Sequence, residues 1–361
     1  MKYLWKRLLC IALCLCALFS SALAEAVDKN LYIMTDYSDA DAVTVRSAQT
    51  VGASLYLLKE AIYSNTEEGR VKLERWTPGM DEPEIVLEEL MRFWSPEQDT
   101  DALVVNTLLT DGECLYGYDE GSRRVTLLVD AAGEAAGRLL CTLEAGEEKP
   151  ADDQYFGALT SAMFVQDGEA VMLVESYGEG ESSYAVERYA LDTGKLMARS
   201  GADSTIQTMC AYKDGKYLAL VQPKMGPEDM DAPMAQVAAY DAATGETALL
   251  ATTTDSYVSN LTYDRKSDTA YYCQNATVYA VDLATGEPRV SAYLPVGAWG
   301  RSGNTFATLS EGMIVYSNGD GVYVRRLDAP ELAAGALTIA NEGGTQKHMA
   351  VVAGHPELNV T

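Results

Sequence analysis

Between positions 29 and 332 the apolar residues fall in short alternating runs bounded by Gly, Asp and Asn, and helical periodicity is almost absent. In Val278-Tyr-Ala-Val-Asp282, apolar Val278 and Ala280 flank Tyr279, a pattern that predicts a half-buried strand. The following Leu-Ala-Thr-Gly286 predicts a tight turn, because Asp accepts backbone hydrogen bonds there and Gly admits positive φ. The same order recurs in Tyr189-Ala-Leu-Asp192-Thr-Gly194 and in Ala239-Tyr-Asp241-Ala-Ala-Thr-Gly245. These three glycines stand 51 and 41 positions apart. Weaker copies lie at Leu128 to Glu134, Leu73 to Gly79 and Val322 to Asp328.

A second turn signal precedes each copy, at Asp111-Gly112, Asp167-Gly168, Asp214-Gly215, Lys266-Ser-Asp268 and Asn318-Gly-Asp-Gly321. Two hairpins per repeat make about four strands, which is one propeller blade. The expected fold is therefore an all-β, six- or seven-bladed β-propeller of four-stranded antiparallel blades over residues 29–332. Blades are expected near 50–93, 100–147, 154–201, 202–253, 255–295 and 296–331. Leu31 to Val45 is expected to add a ring-closing strand or most of a seventh blade. An α-solenoid does not fit this pattern.

The Val278 to Glu287 stretch resembles the blade signature of propellers with pyrroloquinoline-quinone-like repeats, a group that includes quinone dehydrogenases and non-enzymatic scaffolds of the bacterial envelope. That family commonly places a Trp after the turn. Here the turns continue Lys-Leu-Met, Glu-Thr-Ala and Glu-Pro-Arg after Gly194, Gly245 and Gly286, without that Trp, which argues against close kinship to the dehydrogenases.

Both ends of the chain depart from the repeat. Lys2, Lys6 and Arg7, the apolar run Leu8 to Leu18 and the small-x-small Ala22-Leu-Ala24 form an export signal over residues 1–24, with cleavage expected before Glu25. The run is too short for a membrane anchor, for which about 20 apolar residues are needed. After Pro330 a linker leads to a short strand at Leu337 to Ala340, a turn at Gly343 to Gln346 and a helical segment from Lys347 to Ala353. With His355-Pro-Glu-Leu358-Asn-Val, this order resembles the start of an extracellular solute-binding protein of an ABC importer. Residues 333–361 are therefore expected to be a linker and the truncated, α/β-like beginning of such a domain.

Charge narrows the partners. The chain has 53 acidic and 27 basic residues, a formal charge of −26; loss of three basic residues with the signal makes it −29. A polyanion repels phosphate backbones and anionic lipid, so neither nucleic acid nor a membrane surface is an expected partner. An exported chain of this charge is expected to meet a small solute, a sugar, a peptide or an envelope protein.

Candidate chemistry is sparse. Both histidines, His348 and His355, lie beyond the repeats, which excludes Ser-His-Asp and Cys-His catalysis within them. Cys114, Cys141, Cys210 and Cys273 remain after the signal, without a CxxC spacing, and are read as unpaired thiols. Asp36, Asp39 and Asp41 offer closely spaced oxygen ligands suited to calcium, but lack the Gly and bidentate Glu of an EF-hand, so a solvated acidic turn is preferred. The loop from Gly226 to Pro233 is read in the same way, and the tyrosines, Tyr271 and Tyr272 included, as strand packing. The resulting expectation is a non-enzymatic, extracytoplasmic binding or scaffold propeller without a cofactor, and the resemblance of the tail implies the accessory N-terminal part of an ABC-importer solute-binding protein. The alternative is a quinone-dependent dehydrogenase-like propeller.

Overall fold

The structure is a computed structural model; it describes residues 31–33, 42–62, 70–77, 80, 83–91, 103–145, 155–178, 183–202, 205–223, 234–256, 258–274, 277–293, 306–310, 312–318, 321–326, 334–340 and 346–352. Every regular element among them is a strand. The chain divides into two units, one of residues 33–328 and one of residues 1–32 with 329–361.

The larger unit is built from consecutive sheets. The first comprises β2 (Ala42–Val51), β3 (Ser54–Ile62), β4 (Arg70–Trp76), β5 (Glu84–Met91) and β6 (Leu103–Val104), in that order. The second contains β7 (Thr107–Thr110), β8 (Leu115–Asp119), β9 (Arg124–Val129) and β10 (Ala135–Thr142). The third contains β11 (Tyr155–Gln166), β12 (Glu169–Gly178), β13 (Ser183–Ala190) and β14 (Leu196–Ala202). The fourth contains β15 (Ile206–Ala211), β16 (Tyr217–Val221), β17 (Gln236–Tyr240) and β18 (Thr247–Thr252). The fifth contains β19 (Ser259–Asp264), β20 (Thr269–Gln274), β21 (Thr277–Asp282) and β22 (Glu287–Tyr293). The last has the order β1-β25-β24-β23, from β23 (Phe306–Ser310), β24 (Met313–Asn318), β25 (Gly321–Arg326) and β1 (Leu31–Ile33).

The leading strands of these sheets touch in the order β2, β7, β11, β15, β19 and β23, and β23 touches β2. This cyclic order of up-and-down sheets is a β-propeller. The expected count of six or seven four-stranded blades is corrected: five blades have four strands, and the sheet of residues 42–104 has five. Its extra strand β6 pairs with β5 in parallel, through Leu90↔Leu103 and Met91↔Val104, so that sheet is not wholly antiparallel either.

Radial position explains the sequence of each strand. The second strand of a sheet lies between two neighbouring sheets and is buried on both faces, so it reads as a continuous apolar run. In β12, Ala170, Met172 and Val174 pack into a core shared with the second sheet, while Val171 and Leu173 pack into one shared with the fourth. Successive side chains of a strand point to opposite faces, so one strand serves two interfaces. Similar clusters join the first sheet to the second and the fourth to the fifth. The outer strands β10, β14 and β18 are largely exposed, and their sequences are correspondingly mixed.

The repeated glycines occupy equivalent hairpins between third and fourth strands. Gly194, Gly245 and Gly286 have φ of 74°, 75° and 73°. Each donates its N–H to the carbonyl four residues earlier: Ala190 at 2.7 Å, Asp241 at 2.8 Å and Asp282 at 2.8 Å. The equivalent of Asp241 and Asp282 is therefore Ala190, and Asp192 sits two residues further into its turn. Asp241 Oδ1 accepts from Ala243 N at 2.9 Å, and Asp282 Oδ1 from Ala284 N at 2.8 Å. The first–second strand turns fall where the earlier signals put them, except in the last blade. There the pair Asn318↔Gly321 closes the β24–β25 hairpin, one strand later than expected.

In the smaller unit, β26 (Ala334–Ala340) pairs antiparallel with β27 (Gln346–Val352). Over residues 347–352 the expected helix is thus a strand, and the α/β-like character of the tail is corrected to an antiparallel strand pair. Short apolar runs do not distinguish the two periods, and the β-branched pair Val351-Val352 favours the extended form.

Candidate functional site

Within the larger unit the leading strands and their hairpins enclose a cavity of about 1120 Å³. Its walls come from β2, β7, β11, β15 and β19, and from turn residues such as Gly52, Gly112 and Gly168. The charged groups lining it are Asp111, Glu113, Asp167 and Arg265, and the remaining polar ones are carboxamides and hydroxyls.

Polar groups in this wall, and Ser47 beside it, hold neighbouring blades together. Ser47 Oγ accepts from Leu108 N at 3.0 Å, and Gln49 Nε2 donates to Leu108 O at 3.2 Å, which joins β2 to β7. Gln166, only 5% exposed, accepts at Oε1 from Tyr212 N at 2.9 Å and donates from Nε2 to Lys216 O at 3.3 Å. A carboxamide carries the same donor and acceptor as a peptide group, so it bridges two sheets whose backbones do not pair. Gln166 was not foreseen as special; its one signal is a polar residue closing an apolar strand before Asp167-Gly168.

The hairpins add ordered carboxylates. Asp111 Oδ1 accepts from Glu113 N at 2.9 Å and Cys114 N at 2.7 Å, and its Oδ2 accepts from Tyr116 Oη at 2.6 Å. Burial pushes the Asp111 carboxyl up, but the Tyr116 hydroxyl and the backbone donors outweigh it and hold the group below its ordinary range. Asp268 binds Lys213 Nζ with both oxygens at 2.7 Å and accepts from Tyr263 Oη at 2.8 Å. Those two bonds, Lys213 first, lower its pKa. Tyr212 and Tyr263 meet edge to face at 4.8 Å, and Lys213 lies over the Tyr212 ring at 5.3 Å. The half-buried Cys210 thiol, which borders the cavity, is pushed up to about 12 by desolvation and so remains protonated.

The residues singled out from the sequence are elsewhere. Asp36, Asp39 and Asp41, the calcium candidates, lie outside the described residues, as do residues 1–24 and 224–233. Among the described residues no group of three or more His, Cys, Asp or Glu is placed to hold a metal ion. No helix among them is long and apolar enough to cross a membrane. Asp192, Gly194, Asp241, Gly245, Asp282 and Gly286 sit in outer hairpins and do not line the cavity. Tyr271 and Tyr272 are buried in the sheets, with Tyr272 stacked on Tyr279 at 5.2 Å. All four described cysteines are free thiols.

No family model and no curated protein matches this chain. Among solved structures, hydrazine synthase of Kuenenia stuttgartiensis is similar at 13% identity, over 82% of this chain and 99% of that one, with a TM-score of 0.44. A chain of a nidogen/laminin complex aligns at 12% identity, over 70% of this chain and 80% of its own, with a TM-score of 0.40. The computationally designed protein Ika8 aligns at 13% identity, over 78% and 70%, with a TM-score of 0.37.

Proposed function

We propose that residues 33–328 form a non-enzymatic extracytoplasmic binding module whose central cavity takes up a neutral polar solute, a sugar or a peptide. The observation that carries this reading is the cavity of about 1120 Å³, whose apolar wall is interspersed with carboxamide and hydroxyl groups. Pockets of roughly 300–1,000 Å³ accommodate small ligands, and convergent polar groups fix their orientation. The export signal over residues 1–24 supports an extracytoplasmic site of action. An accessory place beside an importer's solute-binding protein rests on the sequence from His355 to Thr361.

Differential scanning fluorimetry of the purified full chain against neutral sugars, short peptides and divalent ions tests the reading. A ligand that binds the folded state alone raises the melting temperature, by an amount that grows with the logarithm of its concentration above its dissociation constant. At least one neutral solute is expected to do so, and no shift with any of them would overturn the proposal. A quinone-dependent dehydrogenase would instead reduce a dye when supplied with pyrroloquinoline quinone and calcium; the binding reading expects no reduction.

A further inference from the structure

Four leading strands carry at least one residue more than their partners. In β2, Val45 faces Lys59 and Ser47 faces Leu58, so Arg46 is extra. Ser161 is extra in β11, between Thr160↔Val174 and Ala162↔Leu173. Gln207 is extra in β15, between Ile206↔Val221 and Thr208↔Leu220. In β19, Asn260 and Leu261 together oppose Tyr272, between Ser259↔Cys273 and Thr262↔Tyr271. A bulge leaves its extra residue out of the ladder, bends the strand and re-aims the side chain, which is why bulges collect at binding sites.

Two of these residues meet the cavity together. Gln207 and Asn260 both line it, and their strands β15 and β19 touch. Gln207 is exposed and Asn260 half-buried. Asn260 also has φ of 56°, in the left-handed region that Asn tolerates better than most side chains. Gln207 Nε2 donates to Gln222 Oε1, which orients the Gln207 carboxamide. Thr208, Ser259 and Thr262, next to them along the same wall, add hydroxyls.

Each carboxamide offers two donors and an acceptor without net charge. A pair on neighbouring strands therefore suits a ligand whose adjacent groups both donate and accept, as sugar hydroxyls do. Building on the cavity as the binding site, we propose that Gln207 and Asn260 are its ligand-orienting pair and that they select a neutral saccharide.

The test titrates fluorescently labelled neutral gluco-, manno- and xylo-oligosaccharides into the full chain, with neutral tetrapeptides as a second probe. Wild-type protein is expected to bind an oligosaccharide. Gln207→Ala and Asn260→Gly are each expected to weaken that binding at least tenfold, about 1.4 kcal/mol. Glycine adopts the Asn260 backbone conformation freely, so Asn260→Gly removes the amide without strain. If its melting temperature nonetheless falls, Asn260→Asp keeps the local geometry and is expected to show the same loss. Met197→Ala, on outer strand β14, keeps wild-type affinity. Undiminished oligosaccharide binding in the Gln207 and Asn260 variants overturns the pair but leaves the cavity as the site. Binding of tetrapeptides alone overturns the saccharide class, and binding of neither probe overturns the cavity reading itself.

Discussion

Gly194 lies so close to Thr142 of the preceding blade that a Cβ on it would stand 2.1 Å from the Thr142 carbonyl oxygen. At Gly286 the corresponding approach, to Leu250 O, would be 2.7 Å, and at Gly245, to Gly201 O, an ordinary 3.6 Å. Glu144 N also donates to Gly194 O at 2.9 Å, and Glu144 Oε2 accepts from Leu196 N at 2.9 Å. The outer turn of one blade thus docks on the last strand of its neighbour through backbone.

The three glycines should therefore differ in tolerance. Gly245→Ala meets only the unfavourable φ, about 1–2 kcal/mol. Gly286→Ala adds overlap for a total of about 2–4 kcal/mol, and Gly194→Ala about 3–5 kcal/mol or failure to fold. Urea unfolding of the three variants checks the ranking; equal losses would mean that blade docking does not depend on these contacts.

A buried carboxylate gives a second prediction. Glu187 is 3% exposed; it accepts from Tyr189 Oη at 2.5 Å and lies 3.6 Å from Arg199 Nε. Arg123, from the neighbouring sheet, donates to Tyr189 Oη at 2.7 Å. Tyr189→Phe leaves Glu187 short of a donor in a site with little water, which costs about 1–3 kcal/mol. Chemical denaturation should show that loss, and a change within about 0.5 kcal/mol, typical of surface sites, would show the bond to be replaceable.

Asp111 predicts a pH dependence. Its pKa is held below the ordinary 3.8, so its contribution to stability is complete above that value and is lost as pH falls through the lower folded value. Tyr116→Phe removes the largest lowering influence, so the Asp111 pKa should rise relative to wild type. Carboxyl NMR titration of wild type and variant tests this; identical titration curves would contradict the assigned cause.

The paired strands of residues 334–340 and 346–352 belong to the smaller unit, whereas the cycle of contacts among the leading strands lies within 33–328. Deleting residues 329–361 should shift the melting temperature of the remaining chain by less than about 2 °C. A loss of several degrees would show that these residues help close the ring.

Strands and outer turns were legible because their signals are local: Asp241 and Gly245 announce a turn within five residues, and β16 reads as an apolar run. The blade composition was less legible, because β6 joins β5 in parallel after a long connection and has only two residues to show for it. The tail was misread because Lys347 to Ala353 fits a helical turn as well as a strand. The cavity was not legible at all. Gln49, Gln166, Gln207 and Asn260 are far apart in sequence and meet only once the ring closes, and a bulge exists only relative to a partner strand.

The cavity's role is tested most directly by blocking it. Thr208 and Thr262 line it from adjacent blades, so Thr208→Trp and Thr262→Trp introduce bulk without removing a buried apolar side chain. Isothermal titration with the solute that most raises the wild-type melting temperature should show binding weakened at least about tenfold in both variants, with the folded state retained. Wild-type affinity in both blocked variants would contradict the account and place the binding surface outside the cavity.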